Sequence, residues 1–410
     1  MSSYPKNLSY AVRRLSNYSC NYVKVLPLNS TTVGDSGSLV FRLPNTGILD
    51  MDSWAVYFNA ACAGGGGTFA ALPMNAESLI ESIMVTINGQ VVQQPHNDYG
   101  SLFNYKINQT VGNDHQASRC VIQGGYEIED VITADQTAIR MCWADWLGYL
   151  QELEPKYIIA DLLGNTEITI RLKPAAVLAT SDNNNTTASF TLSDIFGTIN
   201  ICQIQDGVFN SAIMARLSEQ DEAGQELPIQ IPYKQYYYFT ENNATGAKNL
   251  KFSVASQSID KVHHTNVLQI HRTAGAMIPD VAQAKTSMYY QFIANDCTEL
   301  YLQVNGSNYP SYNISEAAMT FIYSQHALGS LHDVNAGSLI TNFSRETAGT
   351  IAQAQTQFTD GRWYWTYSFE HNSEDDRLIS GMNSFGQNQM MFVNAQDGGA
   401  GTEAQALLFI

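Results

Sequence analysis

The sequence has little charge, no closely spaced cysteine pair and no long apolar run. Charged residues make up only 14% of its 410 residues, against roughly 25% in an average globular protein. Asp and Glu outnumber Lys and Arg by 38 to 21, which gives a formal charge of −17. Because affinity for phosphates comes from Lys and Arg, this balance excludes a general nucleic-acid binder. No stretch approaches the roughly 18 apolar residues of a transmembrane helix, so no such helix is expected.

The six cysteines are scattered, and none lies in the CxxC spacing of a zinc ribbon or redox motif. They are Cys20, Cys62, Cys120, Cys142, Cys202 and Cys297. Six cysteines in 410 residues are few for a disulfide scaffold, and the first residues lack the apolar segment of a secretory signal. We therefore expect all six thiols to be reduced and the chain to be made in a reducing cytoplasm.

Short runs of β-branched and aromatic residues, bounded by Gly, Asn, Asp or Pro, recur along the chain. With 44% apolar residues there is enough material for a core, which excludes intrinsic disorder, and the length suits two domains. Such runs predict β-sandwiches or barrels. They are Ser38–Leu43, Trp54–Asn59, Ile83–Ile87, Glu167–Leu172, Ser189–Leu192, Gln235–Thr240, Leu250–Val254, Leu300–Val304 and Trp363–Phe369.

Helical periodicity is confined to three short segments, each preceded by a residue that favours a helix N-terminus. Asp98 is predicted to cap a helix that buries Tyr99, Leu102, Phe103 and Ile107. The other two helices are predicted to begin at Asp206, burying Phe209, Ile213 and Leu217, and at Ser315, containing Met319 and Ile322.

One pattern occurs twice, half a chain apart. Ile83–Gly89 alternates apolar and polar residues and ends in Asn-Gly, and Leu300–Gly306 does the same. Each is a strand that runs into the strongest short hairpin signal. The predicted caps Asp98 and Ser315 follow their glycines at the same distance. Two matching strand–turn–strand–helix units predict a duplicated β-domain.

Several motifs invite a catalytic or metal-binding interpretation, which we disfavour. Gly34–Gly37 reads GDSG, but no histidine precedes it as a serine protease would require, so we predict a turn. Gly64–Gly67 lacks the Lys-Ser/Thr of a P-loop, and we predict a hairpin tip. His263, His264 and His271 have no Cys or carboxylate at ligand spacing, so we predict no metal site.

Two further groups leave alternatives open. The carboxylates Glu127, Glu129 and Asp130, and likewise Glu374, Asp375 and Asp376, suit the acid and base of a glycosidase or solvated loops, and we favour loops. The aromatic runs Tyr236–Phe239 and Trp363–Trp365 suit either a sugar-stacking platform or strands that alternate between the core and a partner subunit. We predict no catalytic residue, no cofactor and no metal.

From the Asn-Gly repeat onward, the sequence resembles the double jelly-roll major capsid proteins of tailless icosahedral viruses. This group includes adenovirus hexon and the capsid proteins of virophages and polinton-like viruses. The matching pieces are Ser78–Gly89 in a first barrel, Gly207–Tyr233 as helix and linker, Ile259–Val267 with Thr298–Gly306 in a second barrel, and Ser368–Val393 as closing strands. Each piece is short, and their order carries the resemblance.

The resemblance implies an all-β fold of two tandem eight-stranded jelly-roll barrels with a few short helices. The boundaries we predict are a basic arm over 1–24, a first jelly roll over 25–217, a linker over 218–232, a second jelly roll over 233–395 and a C-terminal tail over 396–410, in which Gln396–Gln405 is expected to be mobile. The linker Ser218–Pro232 is charged and punctuated by Gly and Pro. Three copies would then form a trimer with six barrels, a pseudo-hexagonal tile.

The function that the resemblance implies is a major capsid protein in the virion, assembled in the host cytoplasm or nucleus. Its partners would be two further copies, neighbouring capsomers, and penton and minor capsid proteins. The basic arm carries Lys6, Arg13, Arg14 and Lys24 before the first acid, Asp35. We predict that it contacts an inner membrane or the genome, without nucleic-acid sequence recognition. The alternatives are a glycan-binding β-sandwich protein, virion-attached or secreted, and a glycoside hydrolase.

Overall fold

The structure is a computed structural model of the full chain. It describes residues 18–73, 75–95, 97–110, 122, 132–181, 187–204, 211, 213–216, 218–219, 231–243, 248–268, 292–294, 297–314, 316–328, 363–370, 381–385, 390–396 and 404–410. The predicted helix after Asp206 lies largely outside these residues, although 213–216 are helical.

The first half of the chain folds into two facing sheets. Its strands are β1 (Tyr18–Val25), β2 (Val33–Gly34), β3 (Ser38–Arg42), β4 (Ile48–Ala63), β5 (Ala70–Ala71), β6 (Ile80–Ile87), β7 (Gln90–Gln93), β8 (Ile139–Trp143), β9 (Tyr157–Ile159), β10 (Thr166–Leu172), β11 (Ala179–Thr180) and β12 (Ser189–Ile204). β5 pairs with β11 in a small two-stranded sheet. Of the two large sheets, one has the order β1-β12-β4-β8, with β2 and β9 attached, and the other has the order β3-β10-β6-β7. We call this pair of sheets the first barrel.

The second half repeats this arrangement. Its strands are β13 (Tyr238–Asn243), β14 (Lys248–Phe252), β15 (Lys261–Leu268), β16 (Cys297–Val304), β17 (Ser307–Tyr309), β18 (Trp365–Ser368), β19 (Met390–Gln396) and β20 (Ala404–Phe409). The sheet orders are β13-β20-β15-β18 and β14-β19-β16-β17. We call this pair of sheets the second barrel.

The two barrels have the same topology, strand for strand. Without β2, β5, β9 and β11, each barrel has eight strands, which we number from 1 to 8 in chain order. In both barrels one sheet then has the order 1-8-3-6 and the other has the order 2-7-4-5. The chain therefore crosses repeatedly between two packed antiparallel sheets, which is the eight-stranded jelly roll. The predicted all-β fold of two tandem jelly rolls is confirmed.

The two Asn-Gly turns are confirmed as matching hairpins. Asn88 and Gly89 join β6 to β7 with φ of 51° and 80°, and Asn305 and Gly306 join β16 to β17 with φ of 48° and 85°. Positive φ at both central residues defines the turn that suits the twist of a two-residue hairpin, and Asn-Gly adopts it most readily.

A helix follows each hairpin. In the first barrel α1 (Tyr99–Thr110) buries the four apolar side chains predicted for it. A short helix α2 (Ala160–Leu163) follows β9, and α3 (Ala317–Ala327) follows the second hairpin. The cap of α3 is Glu316 rather than Ser315, which lies outside the described residues. Single 3-10 turns lie at Ala76–Leu79, Gly148–Leu150 and Ala175–Val177. No helix among the described residues is long and apolar enough to span a membrane.

The strands form because alternate residues bury their side chains between the sheets. In β10, Ile168, Ile170 and Leu172 are buried while the residues between them are more exposed. The aromatic centre of the first core comprises Phe41 against Trp54, with ring centroids 5.5 Å apart, and Phe58 against Trp143 at 4.4 Å. Edge and tilted ring pairs of this kind add about 0.5–1.5 kcal/mol each beyond their buried area.

Two predicted chain ends differ from the structure. Residues 18–24 belong to β1, where they pair with β12, so the basic arm over 1–24 is too long. Residues 404–409 form β20 between β13 and β15, so a separate C-terminal tail over 396–410 is wrong, and the second jelly roll extends beyond residue 395. The physical reason is that Leu407, Leu408 and Phe409 are fully buried in the second barrel, which outweighs the Gly/Ala-rich composition before them.

The prediction of six reduced cysteines is also wrong for one pair. Cys20 on β1 and Cys202 on β12 form a disulfide with Cα atoms 4.3 Å apart. They are direct cross-strand neighbours in the sheet, a relation that their separation of 182 residues hides in the sequence. Cys62 on β4 is buried, and burial raises the pKa of its thiol to about 12.

Candidate functional site: the junction between the two barrels

The most elaborate polar arrangement in the described structure lies where the two barrels meet. We call it the barrel junction: α1, the segment 148–154 and strand β7 from the first barrel, against residues 231–236, β15, β18 and β20 of the second. Three sets of contacts hold it together: an aromatic cluster at Tyr105, a charged network at Glu152, and a short backbone pairing after the linker.

Tyr105 reaches from α1 into the second barrel. Its hydroxyl donates to the carbonyl oxygen of Trp365 at 2.7 Å and lies 3.0 Å from Thr366 Oγ1. Its ring meets His263 and Phe409 with centroids 5.5 and 6.1 Å away. Burial raises the pKa of Tyr105, so the hydroxyl stays protonated and acts as a donor.

Glu152 joins the barrels through charge. Its Oε1 accepts from Lys106 Nζ and from the Tyr236 hydroxyl, both at 2.8 Å, and its Oε2 accepts from the Gly148 N–H at 2.7 Å. Burial alone raises the pKa of Glu152, but Lys106 and these hydrogen bonds outweigh burial and hold the pKa below its usual value. The carboxylate is therefore ionised, and it fixes the position of Tyr236, which comes from the second half of the chain.

Residues 232–234, which precede β13, pair with the first barrel. The Glu154 N–H donates to Pro232 O at 2.9 Å, and the Lys234 N–H donates to Glu152 O at 3.1 Å. The hydroxyl of Tyr233 donates to Val92 O at 2.7 Å. The first two of these bonds run between backbones, so they set the register of residues 232–234 against the first barrel, and the Tyr233 hydroxyl adds a side-chain bond.

A second charged group lies on the second-barrel side of the junction. The Glu370 carboxylate, 2% exposed, forms ion pairs with Lys261 Nζ at 2.9 Å and with Lys234 Nζ at 3.3 Å. Burial lowers the pKa of Lys261, and the Glu370 carboxylate opposes that effect. Buried ion pairs of this kind contribute little net stability but strongly penalise any arrangement that separates them.

The histidines for which we predicted no metal role are core residues. His263 Nδ1 lies 3.0 Å from Thr366 Oγ1, and His264 Nδ1 lies 3.0 Å from Leu407 O. Burial lowers the pKa of both rings, that of His264 to about 3, so both are neutral at pH 7. No group of three or more metal-ligating side chains occurs among the described residues. His271 lies outside them.

The other candidate motifs are structural where they are described. Ser36 has a positive φ in the turn between β2 and β3, as predicted for Gly34–Gly37. Gly64–Gly67 forms the turn between β4 and β5, where the Asp135 carboxylate accepts from the Gly64 N–H at 2.8 Å. Both carboxylate groups, at residues 127–130 and 374–376, lie outside the described part of the chain.

Neither aromatic run forms an exposed platform. Trp363, Tyr364 and Trp365 are all buried, so the prediction that this run alternates between core and partner is wrong. Tyr236 bonds to Glu152, and Tyr238 lies with its ring centroid 5.4 Å from that of Phe409. Tyr236 and the whole Trp363–Trp365 run are thus buried, whereas Tyr237, Tyr238 and Phe239 are only partly buried.

Sequence reasoning did not find the residues that build the junction, above all Tyr105, Lys106 and Glu152. One signal was available: Lys106 is the single charged residue in α1. A lone charge on a short apolar helix often has a dedicated partner, but its sequence cannot name a partner that lies 46 positions away.

Comparison with solved structures finds the same fold over almost the whole chain. PBCV-1 VP54, fitted into a reconstruction of the virophage Sputnik, aligns with a TM-score of 0.61 at 10% identity, covering 97% of this chain and 94% of that one. The Faustovirus major capsid protein aligns with a TM-score of 0.58 at 9% identity, covering 97% and 90%. A PBCV-1 capsid chain aligns with a TM-score of 0.57 at 11% identity, covering 97% and 94%.

No protein-family model and no curated protein matches the sequence. The chain is thus a double jelly-roll protein by its own strand order and by its likeness to these structures. The resemblance to double jelly-roll capsid proteins that the short motifs predicted is confirmed at the level of the fold.

Proposed function

We propose that this chain is the major capsid protein of an icosahedral virus and that it acts as a structural component of the virion. One observation carries the proposal: two barrels of identical strand order, joined by a built junction, share their fold with capsid proteins over 97% of the chain. Jelly rolls protect their sheet edges by two-sheet packing and recur in viral capsids.

The junction supports this role because it makes the two barrels one rigid unit. A shell component must present fixed surfaces to its neighbours, and the hydrogen bonds of Tyr105 and Glu152 join one barrel to the other. The glycan-binding alternative loses its support because the Trp363–Trp365 run is buried. His263 and His264 are hydrogen-bonded core residues, so they add nothing to the enzyme alternative.

We propose further that three copies form a pseudo-hexagonal capsomer. Two similar barrels per chain and three chains per ring provide six similar outward surfaces, which tile a flat facet. Neighbouring capsomers and the penton and minor capsid proteins would bind around it. Of the basic residues expected to face a membrane or the genome, Lys6, Arg13 and Arg14 lie outside the described residues, while Lys24 lies in β1.

The test is the mass and shape of the purified protein. Light scattering should give about 136 kDa for three chains of 45.2 kDa, and negative-stain images should show hexagonal outlines. Co-expression with the remaining virion proteins should yield closed shells. A monomer at micromolar concentration would contradict the capsomer, and a stable trimer that never joins a particle would contradict the capsid role.

A further inference from the structure

The helices that follow the two hairpins have different surroundings. Tyr105 of α1 is fully buried against the second barrel. Ile322 of α3 follows Gly306 by the same number of residues as Tyr105 follows Gly89, yet it is 52% exposed. Met319, one turn earlier, is 39% exposed. The outer face of α3, on which Met319 and Ile322 lie, is thus an exposed apolar surface in the described part of the chain.

The surface that receives α1 is a row of side chains across three strands of the second barrel. Thr366 on β18, His263 on β15 and Phe409 on β20 are direct cross-strand neighbours. Tyr105 contacts all three. The row is fully covered, and its members are between 0% and 3% exposed.

The first barrel carries a matching row that is less deeply buried. Its equivalent strands β8, β4 and β12 hold Cys142, Tyr57 and Phe196 as direct cross-strand neighbours. Tyr57 and Phe196 stack with ring centroids 5.3 Å apart, and both are only half-buried. We call Cys142, Tyr57 and Phe196 the open row.

Two cations lie beside the open row. Lys24 Nζ is 4.3 Å from the centroid of the Phe196 ring, and the Arg140 guanidinium carbon is 5.3 Å from it. Both side chains are exposed. A helix that packs here therefore meets two aromatic rings flanked by positive charge.

We propose that the outer face of α3 docks onto the open row of a second copy of this chain. The duplication identifies the docking partner. Inside one chain, α1 of the first barrel packs on the row of side chains in the second barrel. What remains open is the second barrel's helix and the first barrel's row, and these can meet only between copies. The contact is head-to-tail, so it closes a ring when the rotation permits.

This inference rests on the proposed capsomer and names the surfaces that build it. The test introduces a cation on α3, Ile322→Lys, which would face Lys24 and Arg140 across the contact. Because like charges in an interface cost several kcal/mol, we expect association to weaken by about 100-fold or more. Light scattering over a dilution series, with near-UV circular dichroism to verify the fold, measures this.

The partner surface is tested by charge reversal. Arg140→Glu in the Ile322→Lys background should restore most of the lost association, because the new lysine then meets a carboxylate. The matched control is Phe385→Lys, an exposed position (72%) in the second barrel outside α3, which should leave association unchanged.

The outcomes separate the two proposals. A parent protein that is monomeric contradicts both the capsomer and this contact. A trimeric parent with an equally trimeric Ile322→Lys variant overturns the contact and leaves the capsomer standing. Loss of the trimer without rescue by Arg140→Glu, or equal loss in Phe385→Lys, overturns the assignment of the open row as the partner.

Discussion

The equivalent strands β4 and β15 differ in how many of their side chains are buried. In β4 of the first barrel, buried residues such as Val56 and Phe58 alternate with half-exposed ones such as Tyr57. In β15 of the second barrel, every side chain from Val262 to Val267 is buried. The strand orders are the same, so the difference comes from α1, which covers the outer side of the second barrel only.

Covering both faces of a strand buries polar groups, and these must then find partners inside the protein. The Thr265 hydroxyl donates to Trp363 O at 2.8 Å, and Asn266 Nδ2 donates to Ala294 O at 3.3 Å. The polar contacts of the two helices also differ. At the start of α1 the first barrel buries an ion pair between Lys173 and Asp98, whereas in the second barrel the neutral hydroxyl of Ser324, a residue of α3, accepts from the Thr366 N–H. Each barrel thus holds its helix through a different kind of polar contact.

The largest expected effect is at the buried ion pair of the first barrel. Lys173 is 0% exposed and bonds to Asp98 at the start of α1. Lys173→Met should lower the free energy of unfolding by about 3–5 kcal/mol, because an uncompensated carboxylate remains buried. Urea unfolding followed by tryptophan fluorescence measures the change.

An exposed pair provides the matched control for that variant. Lys156 Nζ lies 3.1 Å from Asp52 Oδ1, and both side chains are about half exposed. Lys156→Met should change the free energy of unfolding by less than about 1 kcal/mol. Equal effects of the two substitutions would refute the distinction between buried and exposed pairs in this barrel.

The disulfide between β1 and β12 is the next difference between the barrels. The described part of the second barrel has no such bond between the equivalent strands β13 and β20. Cys20→Ser should lower the free energy of unfolding by about 2–4 kcal/mol, because the bond closes a long loop in the unfolded chain. Dithiothreitol should destabilise the parent protein to the same extent and leave the variant unaffected. Free-thiol titration of the denatured, unreduced parent that finds all six cysteines reactive would show the bond to be absent.

The buried histidines of the second barrel predict a pH dependence. Burial lowers the pKa of His264 to about 3, whereas an unfolded histidine titrates near 6.5. Between these values the unfolded state binds the extra proton, so stability is complete above pH 6.5 and falls as the pH drops. The contribution of His264 is about 1.4 kcal/mol per pH unit.

The test of this prediction is a substitution that removes the ring. His264→Gln should reduce the slope of stability against pH between about 6.5 and 4. Denaturant midpoints at several pH values provide the comparison. A slope unaffected by His264→Gln would mean that this ring is not buried in its neutral form.

The smallest effect tests the equivalence of the two hairpins. Gly89 and Gly306 have φ of 80° and 85°, and a Cβ at either position would meet no atom within 4 Å. Gly89→Ala and Gly306→Ala should therefore each cost only the backbone penalty, about 1–2 kcal/mol. Unfolding curves that differ clearly between the two variants would show that the hairpins are not equivalent.

Local patterns in the sequence predicted the repeated elements well. The Asn-Gly turns depend on the backbone of two residues, so their conformation is readable at Asn88 and Asn305 without knowledge of the fold. The apolar spacing from Tyr99 to Ile107 predicted α1 for the same reason. Composition gave a wrong expectation at the chain end. Burial of Leu407–Phe409 in a central strand stabilises the fold by more than the conformational entropy that ordering these residues costs.

The sequence alone determined the all-β class, the two hairpins, the duplication and the apolar face of α1, since each depends on contacts between residues close in the chain. Only the tertiary structure decided the Cys20–Cys202 bond, the partners of Tyr105 and Glu152, and the burial of His263. These depend on which distant segments meet. No local pattern encodes these contacts, because whether a polar residue is buried or exposed depends on which distant segment packs against it.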